Sequence, residues 1–252
     1  MLFLYRNTDL CIMNILLTAA TPGEIRITKE YLAEKKYSRK HCSIRILVTG
    51  AGMVNTIYTL TKHISAARPD LILQAGIGGS LHPFYPPPAV VAIREEVIGD
   101  MGVEEDHTFK DIFDLGLAEE NAFPFSGKML VNPHRQLLEK IKLPAVRGIS
   151  INEITTDTGR IQQLVEKYGV MIESMEGAAL HYVCLQEAIP FIQIRSVSNF
   201  VGERDKTKWR LAETLFHLNP EQITALPQPL DSKKNNQTIP EHEIYTWFFS
   251  LP

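Results

Sequence analysis

The run IESMEGAALHYVC, residues 172–184, concentrates the side chains whose type and setting ask for chemistry. A short apolar stretch gives way to Glu173, Met175 and Glu176, and the small residues Gly177, Ala178 and Ala179 then open a helix. Carboxylates are rarely buried without a partner, and open α/β sheets take ligands at the carboxyl ends of their strands. Two carboxylates there would serve a polar ligand or a cation. The plainer alternative is a surface turn whose glutamates face a helix amino terminus. Glu24, in TAATPGE, follows the first apolar run and could face the same cleft, although alone it reads as an ordinary first-turn glutamate. Ser198 and Asn199 end a later apolar run, FIQIRSVSN, with a hydroxyl and an amide. Two glycine turns, GAGMVN and AGIGGS, follow strands. They either offer backbone N–H groups to a ligand or simply turn the chain tightly.

Several chemistries fail on their own requirements. GAGMVN has Asn55 where a dinucleotide fingerprint needs its third glycine, and AGIGGS lacks the lysine and serine of a phosphate loop. The eight histidines include no HExxH and no close cluster, so no metal is implied. His181 lies in an apolar helical stretch and reads as a core or interface side chain. No GxSxG elbow accompanies the serines and no cysteine stands in a nucleophile motif, so covalent catalysis is not indicated.

The elements that must position these residues alternate as strand and helix from residue 14 to about 219. That pattern predicts an α/β fold, a single domain with a central mixed β-sheet flanked by helices. Strands are expected at residues 15–20, 43–49, 70–74, 89–93, 146–151, 169–172 and 191–197. Helices are expected at 22–35, with Pro22 in the first turn, at 52–67, after Asn132 as cap, at 157–167 with Gly169 just past its end, from 177, and at 206–218. Residues 104–128 have weak periodicity and read as a long surface excursion of the kind that often serves as a lid.

With 252 residues the chain can hold one large domain, and its formal charge of −3 advertises neither nucleic acid nor an anionic membrane. The three cysteines, Cys11, Cys42 and Cys184, form no disulfide or zinc pattern, which points to a reducing cytoplasm. No apolar run reaches the ~20 residues of a membrane helix. Residues 1–12 lack a signal-peptide pattern and read as an extension before a domain spanning 13–219. Residues 220–252, with Pro220, Pro227 and Pro229 and the polar DSKKNNQ stretch, read as a partly disordered tail. Its Tyr245, Trp247, Phe248 and Phe249 could dock on a neighbouring subunit.

In their order and spacing, Glu24, GAGMVN, AGIGGSL, ESMEGAALHYVC and the SN at 198–199 resemble the purine nucleoside phosphorylase and hydrolase superfamily, specifically its nucleosidase branch. Within that branch, GDMGVEED and SNFVGERDKTKW are more similar to futalosine hydrolases, which remove hypoxanthine from futalosine in menaquinone biosynthesis. Methylthioadenosine/S-adenosylhomocysteine nucleosidases share the scaffold but carry an aspartate where this chain has Asn199. The resemblance implies an N-glycosyl hydrolase without cofactor, acting on a small-molecule purine nucleoside and assembled as a homo-oligomer.

The resemblance also implies roles. Glu24 matches the base that activates water, Glu176 the carboxylate that binds the ribose hydroxyls, and Met175 the side chain that packs on the sugar. Asn199 matches the residue facing N7 and the 6-position of the purine, with Ser198 beside it. Gly78 and Gly79 lie near sugar and base, and residues 151–155, with Ile154, correspond to the base-stacking segment, where the family's aromatic is not evident. Glu173 falls to a structural role. An amide cannot be the leaving-group acid, so the proton comes from solvent or from a neighbour such as Asp205, whose alternative is a loop ion pair with Arg204. A hydrolase is favoured over a phosphorylase because no phosphate-binding arginine and glycine set surrounds the cleft, Arg94 being the one exception. The rivals are an adenine-releasing nucleosidase, a phosphorylase, and a catalytically silent nucleoside-binding protein on the same fold.

Overall fold

A computed structural model describes residues 13–34 and 42–225. The extension expected over residues 1–12 and the tail beyond residue 225, with its four aromatic residues, lie outside the described residues.

Strand β1 (Met13–Ala19) runs through helix α1 (Pro22–Glu34) to β2 (Cys42–Val48), and α2 (Met53–Ala66) returns to β3 (Leu71–Ser80). β4 (Val90–Ile98) precedes a hairpin of β5 (Gly102–Glu105) and β6 (Thr108–Asp111). Then follow β7 (Leu130–Val131), α3 (Arg135–Ile141), β8 (Ala145–Ser150), α4 (Thr158–Tyr168), β9 (Ile172–Ser174), α5 (Gly177–Gln186), β10 (Phe191–Phe200) and α6 (Leu211–Ala225).

Among the described residues the main sheet has the order β10-β4-β8-β9-β3-β1-β2, and β10 also pairs with β3. The strands β3, β10, β4, β8 and β9 therefore close a ring, with β1 and β2 extending from it. Pairing is mixed: β1, β2, β3 and β10 are mutually parallel where they meet, whereas β9 runs antiparallel to β3 and β10 antiparallel to β4. Alternate residues of the buried strands face different layers. Ile15, Leu17, Leu73 and Ile194 meet α1, α3 and α6, whereas Leu16, Ile72 and Phe191 meet α2 and α5. A third cluster packs Val97, Phe109 and Ile149 under Leu164 and Tyr168 of α4.

Four expectations change. AGIGGS is not a turn but the second half of β3. Its glycines are there for close approach: a Cβ on Gly76 would stand 2.4 Å from Arg195 Nη1, and one on Gly78 2.9 Å from the carbonyl oxygen of Glu173. The excursion from residue 104 begins as the β5–β6 hairpin, held by buried Asp111, which accepts from Tyr168 (2.8 Å) and pairs with Lys167 (3.0 Å) and Lys128 (3.3 Å). Local periodicity is weak there because these anchors are distant in sequence. Asn132 does not cap α3; its amide donates to Phe191 O (2.8 Å) and its Oδ1 accepts from His134 N, the residue at the cap position. The closing helix starts at Leu211 after a short 3₁₀ turn at Lys206–Lys208, and runs through Pro220 to Ala225, into the expected tail.

Candidate active site

Thr21 and Glu24 form the S/T-x-x-E pattern of a capping box at the start of α1. Glu24 Oε2 accepts from Thr21 N (2.8 Å) and Thr21 Oγ1 (3.0 Å). The other oxygen, Oε1, accepts from Ile77 N (3.0 Å) in the middle of β3. A carboxylate offers about four lone-pair sites, so one on Oε1 stays available. The side chain is 6% exposed, and the reach to Ile77 ties α1 to the strand that carries the glycines.

Glu176 occupies the cap position of α5, yet its side chain does not cap that helix. Two serines do so instead: Ser174 Oγ accepts from Gly177 N (3.3 Å) and Ser150 Oγ from Ala178 N (2.8 Å). Glu176 is thereby free to turn away. Its Oε1 accepts from Gly52 N (3.0 Å) and its Oε2 from Arg195 Nη1 (3.3 Å). GAGMVN thus supplies an N–H to a protein carboxylate, and Gly50 and Gly52 both need φ of +87° to do so. One lone-pair site is left on each Glu176 oxygen, two in all.

Arg195 is the residue that sequence reading missed. It is 1% exposed, donates from Nη1 to Ile77 O (3.3 Å) as well as to Glu176, and from Nη2 to Gln74 Oε1 (3.0 Å). The glycine at 76 makes the junction: the position of its missing Cβ is 2.4 Å from Arg195 Nη1 and 2.9 Å from Glu24 Oε1. Glu24 and the Arg195–Glu176 pair therefore converge on one point of β3.

Behind Glu176 lies a second buried carboxyl, Glu96, 0% exposed. Its Oε1 accepts from Ser150 Oγ (2.9 Å), and glycines at 148 and 177 leave the room its other oxygen occupies. Burial pushes Glu96 up to about 7 against the pull of Arg195. The same layer holds His181, whose Nδ1 lies 2.9 Å from Leu130 O and whose pKa burial drives down to about 4. It is a core side chain.

Asn199 and Ser198 lie within β10, where a register shift falls between Val197 and Asn199. Ser198 Oγ is 2.7 Å from Asn199 Oδ1 and 3.2 Å from Gly78 O, while Asn199 Nδ2 donates to Phe200 O (2.8 Å). The amide keeps one hydrogen and one lone pair in reserve. Gly79 lies between strands here, opposite Asn199 on one side and Glu173 on the other. Met175 is half-buried and Ile154 is 44% exposed on the segment after β8. Asp205 is exposed and caps the 3₁₀ turn, accepting from Thr207 Oγ1 (2.6 Å) and Thr207 N (3.0 Å). Those bonds hold its carboxyl below the ordinary range, the wrong direction for a proton donor. Arg204 lies over the Trp209 ring, 5.8 Å from its centre. Arg94 pairs with Glu95 (3.2 Å) at a half-exposed edge. No group of three or more potential metal ligands occurs among the described residues.

Two carboxylates are thus anchored to a strand of glycines, with an amide further along the same sheet. A model of the Phosphorylase superfamily matches residues 14–222, and the chain belongs to that family. It is 28% identical to the futalosine hydrolase of Streptomyces coelicolor over 169 residues, 67% of this chain and 69% of the relative. It is 23% identical to the 5'-methylthioadenosine/S-adenosylhomocysteine nucleosidase of Halalkalibacterium halodurans over 180 residues, 66% of this chain and 71% of that one. The solved native structure of futalosine hydrolase from Helicobacter pylori superposes with a TM-score of 0.70 at 16% identity, covering 85% of this chain and 97% of that one. No helix among the described residues is long and apolar enough to cross a membrane.

Proposed function

We propose that this protein is a nucleosidase that hydrolyses the N-glycosidic bond of futalosine and releases hypoxanthine. The observation that carries the reading is the convergence of Glu24 and the Arg195–Glu176 pair at Gly76, each carboxylate with a defined remaining capacity. The two free lone-pair sites of Glu176 suit two adjacent ribose hydroxyls, and the single site on Glu24 Oε1 suits one water. Kinship to relatives named as futalosine hydrolases and nucleosidases supports the same reaction class.

The bond breaks with its electron pair passing to the base nitrogen, leaving an oxocarbenium-like sugar. Glu176 holds the hydroxyls and puts negative charge beside the developing cation. Water adds to the anomeric carbon as Glu24 takes its proton, a step worth about 10²- to 10⁴-fold. Asn199 accepts from protonated N7 with its carbonyl and donates to O6 with its remaining N–H. Since an amide has no proton to surrender, N7 takes its proton from solvent. Against adenine the same N–H meets a 6-amino donor, and such mispairing is where a purine site gains selectivity. A homo-oligomer of this chain is part of the proposal, as is a single nucleoside hydrolase domain from residue 13 to about 219.

Release of adenine from methylthioadenosine is the second reading, favoured by kinship to a methylthioadenosine nucleosidase. Chromatography of products from futalosine, inosine and methylthioadenosine, with and without phosphate, separates the two. Hypoxanthine from futalosine in phosphate-free buffer is expected; strict phosphate dependence, or adenine release alone, refutes the proposal.

A further inference from the structure

Glu96 takes no part in the hydrolysis described above, yet the fold keeps its carboxyl fully buried, with one oxygen, Oε2, lacking a hydrogen-bond donor. A buried carboxyl costs stability that an apolar side chain of the same length would not. Glycines make the room for it. A Cβ on Gly148 of β8 would stand 2.5 Å from Glu96 Oε2, and one on Gly177, the first residue of α5, 2.6 Å from the same atom. The carboxyl is therefore wedged between a strand of the sheet and the start of the helix that follows Glu176.

What it touches there is the cap of α5. Glu96 lies opposite Gly148 in the β4–β8 pairing, and Ser150 follows two residues on, on the same face of β8. The single hydrogen of Ser150 Oγ goes to Glu96 Oε1 (2.9 Å), which turns the hydroxyl lone pairs to Ala178 N (2.8 Å), the second N–H of the helix. That N–H is one that a side chain at the cap position ordinarily takes, and the residue at the cap position is Glu176. A carboxylate beside an uncapped helix amino terminus is drawn to it by hydrogen bonding and by the helix dipole. With the N–H already taken, Glu176 points instead to Gly52 N and Arg195 and keeps two lone-pair sites for a ligand.

We propose that Glu96 is a positioning residue: by fixing the Ser150 hydroxyl as the cap of α5, it releases the Glu176 carboxylate for the ribose hydroxyls. The inference rests on the nucleosidase reading above and goes beyond it in naming what holds the sugar-binding carboxylate in place. Glu96 touches no substrate; its effect passes through Ser150 and the helix terminus.

Steady-state base release from futalosine and from 2′-deoxyfutalosine, by the wild type and by Ser150→Ala, Glu96→Met and Glu96→Gln, with the melting temperature of each, tests it. Only the ribose form offers both hydroxyls to Glu176, so the ratio of the two kcat/KM values reports on that carboxylate, whereas general damage lowers both alike. Ser150→Ala and Glu96→Met should each lower the ratio by about 10-fold, the worth of one cap, chiefly through a higher KM for futalosine. Glu96→Met should do so while melting at or above the wild-type temperature, a split that a structural glutamate would not produce. Glu96→Gln keeps a carbonyl oxygen for the Ser150 hydroxyl and should stay within about twofold of the wild-type ratio. A folded Ser150→Ala or Glu96→Met protein that keeps the wild-type ratio, or a Glu96→Gln variant as impaired as Glu96→Met, overturns the proposal and leaves the nucleosidase reading intact. A wild type that releases base from neither substrate overturns both.

Discussion

Replacing Glu96 by glutamine should change how stability depends on pH, by an amount the structure sets. Glu96 is fully buried beside Ser150, Gln193 and Arg195, and its carboxyl is raised from an ordinary 4.5 to about 7, burial outweighing the arginine. A raised carboxyl binds its proton more tightly in the folded chain than in the unfolded one. The resulting stabilisation is fully present below about pH 4.5 and is lost as pH climbs to about 7. About two and a half pH units at about 1.4 kcal/mol each amount to ~3 kcal/mol, of which about 2 to 3 kcal/mol falls between pH 5 and 8. Glutamine keeps the shape and the Ser150 contact but cannot ionise. Urea unfolding of both proteins at several pH values should show the Glu96→Gln variant gaining on the wild type by that amount from pH 5 to pH 8. A difference that stays flat with pH would mean that Glu96 is charged throughout, and that Arg195 serves it as fully as it serves Glu176.

Three further outcomes follow from the site. Glu24→Gln should lower kcat by about 10²- to 10⁴-fold with little change in KM, measured as steady-state base release, because the amide cannot take the water's proton; an unchanged kcat removes Glu24 from the chemistry. Gly76→Ala should cut kcat/KM severely and cost about 1–3 kcal/mol in chemical denaturation, since the added Cβ would stand 2.4 Å from Arg195 Nη1 and 2.9 Å from Glu24 Oε1; wild-type turnover would show that the two groups need not meet there. Arg195→Met leaves Glu176 buried without its cation and should destabilise by about 3–5 kcal/mol, read by thermal or urea unfolding. A near-neutral result would mean that the Gly52 N–H alone is enough to hold Glu176.

Much of the frame could be read from the chain because strand and helix periodicity is local. Gly169 ends α4 with φ of +64° and Asp157 caps it through Arg160 N, as their residue types imply. Glu24 and Glu176 could be placed at strand ends, whereas the capping box of Thr21 and Glu24 emerged only with the structure. What escaped depends on partners distant in sequence. AGIGGS reads as a turn by composition, but its glycines serve Arg195, Glu173 and Val201, which lie about a hundred residues or more away. Arg195 was hidden in an apolar run, although its signal was present: Gln193 and Arg195 alternate with buried apolar residues, so two polar side chains share one face of a buried strand. Glu173, set aside as structural, shows the lack of a partner for its buried Oε2 only once β9 is laid beside β3.

The central claim is that water, positioned at Glu24, cleaves a 6-oxopurine nucleoside held by Glu176. Hydrolysis of futalosine by the purified protein in ¹⁸O-enriched water, without phosphate, tests it most directly, with both products followed by mass spectrometry. The account predicts hypoxanthine in equal amount to a sugar product carrying one ¹⁸O at its anomeric carbon. A sugar phosphate formed only when phosphate is supplied, or no hypoxanthine at all, would contradict it.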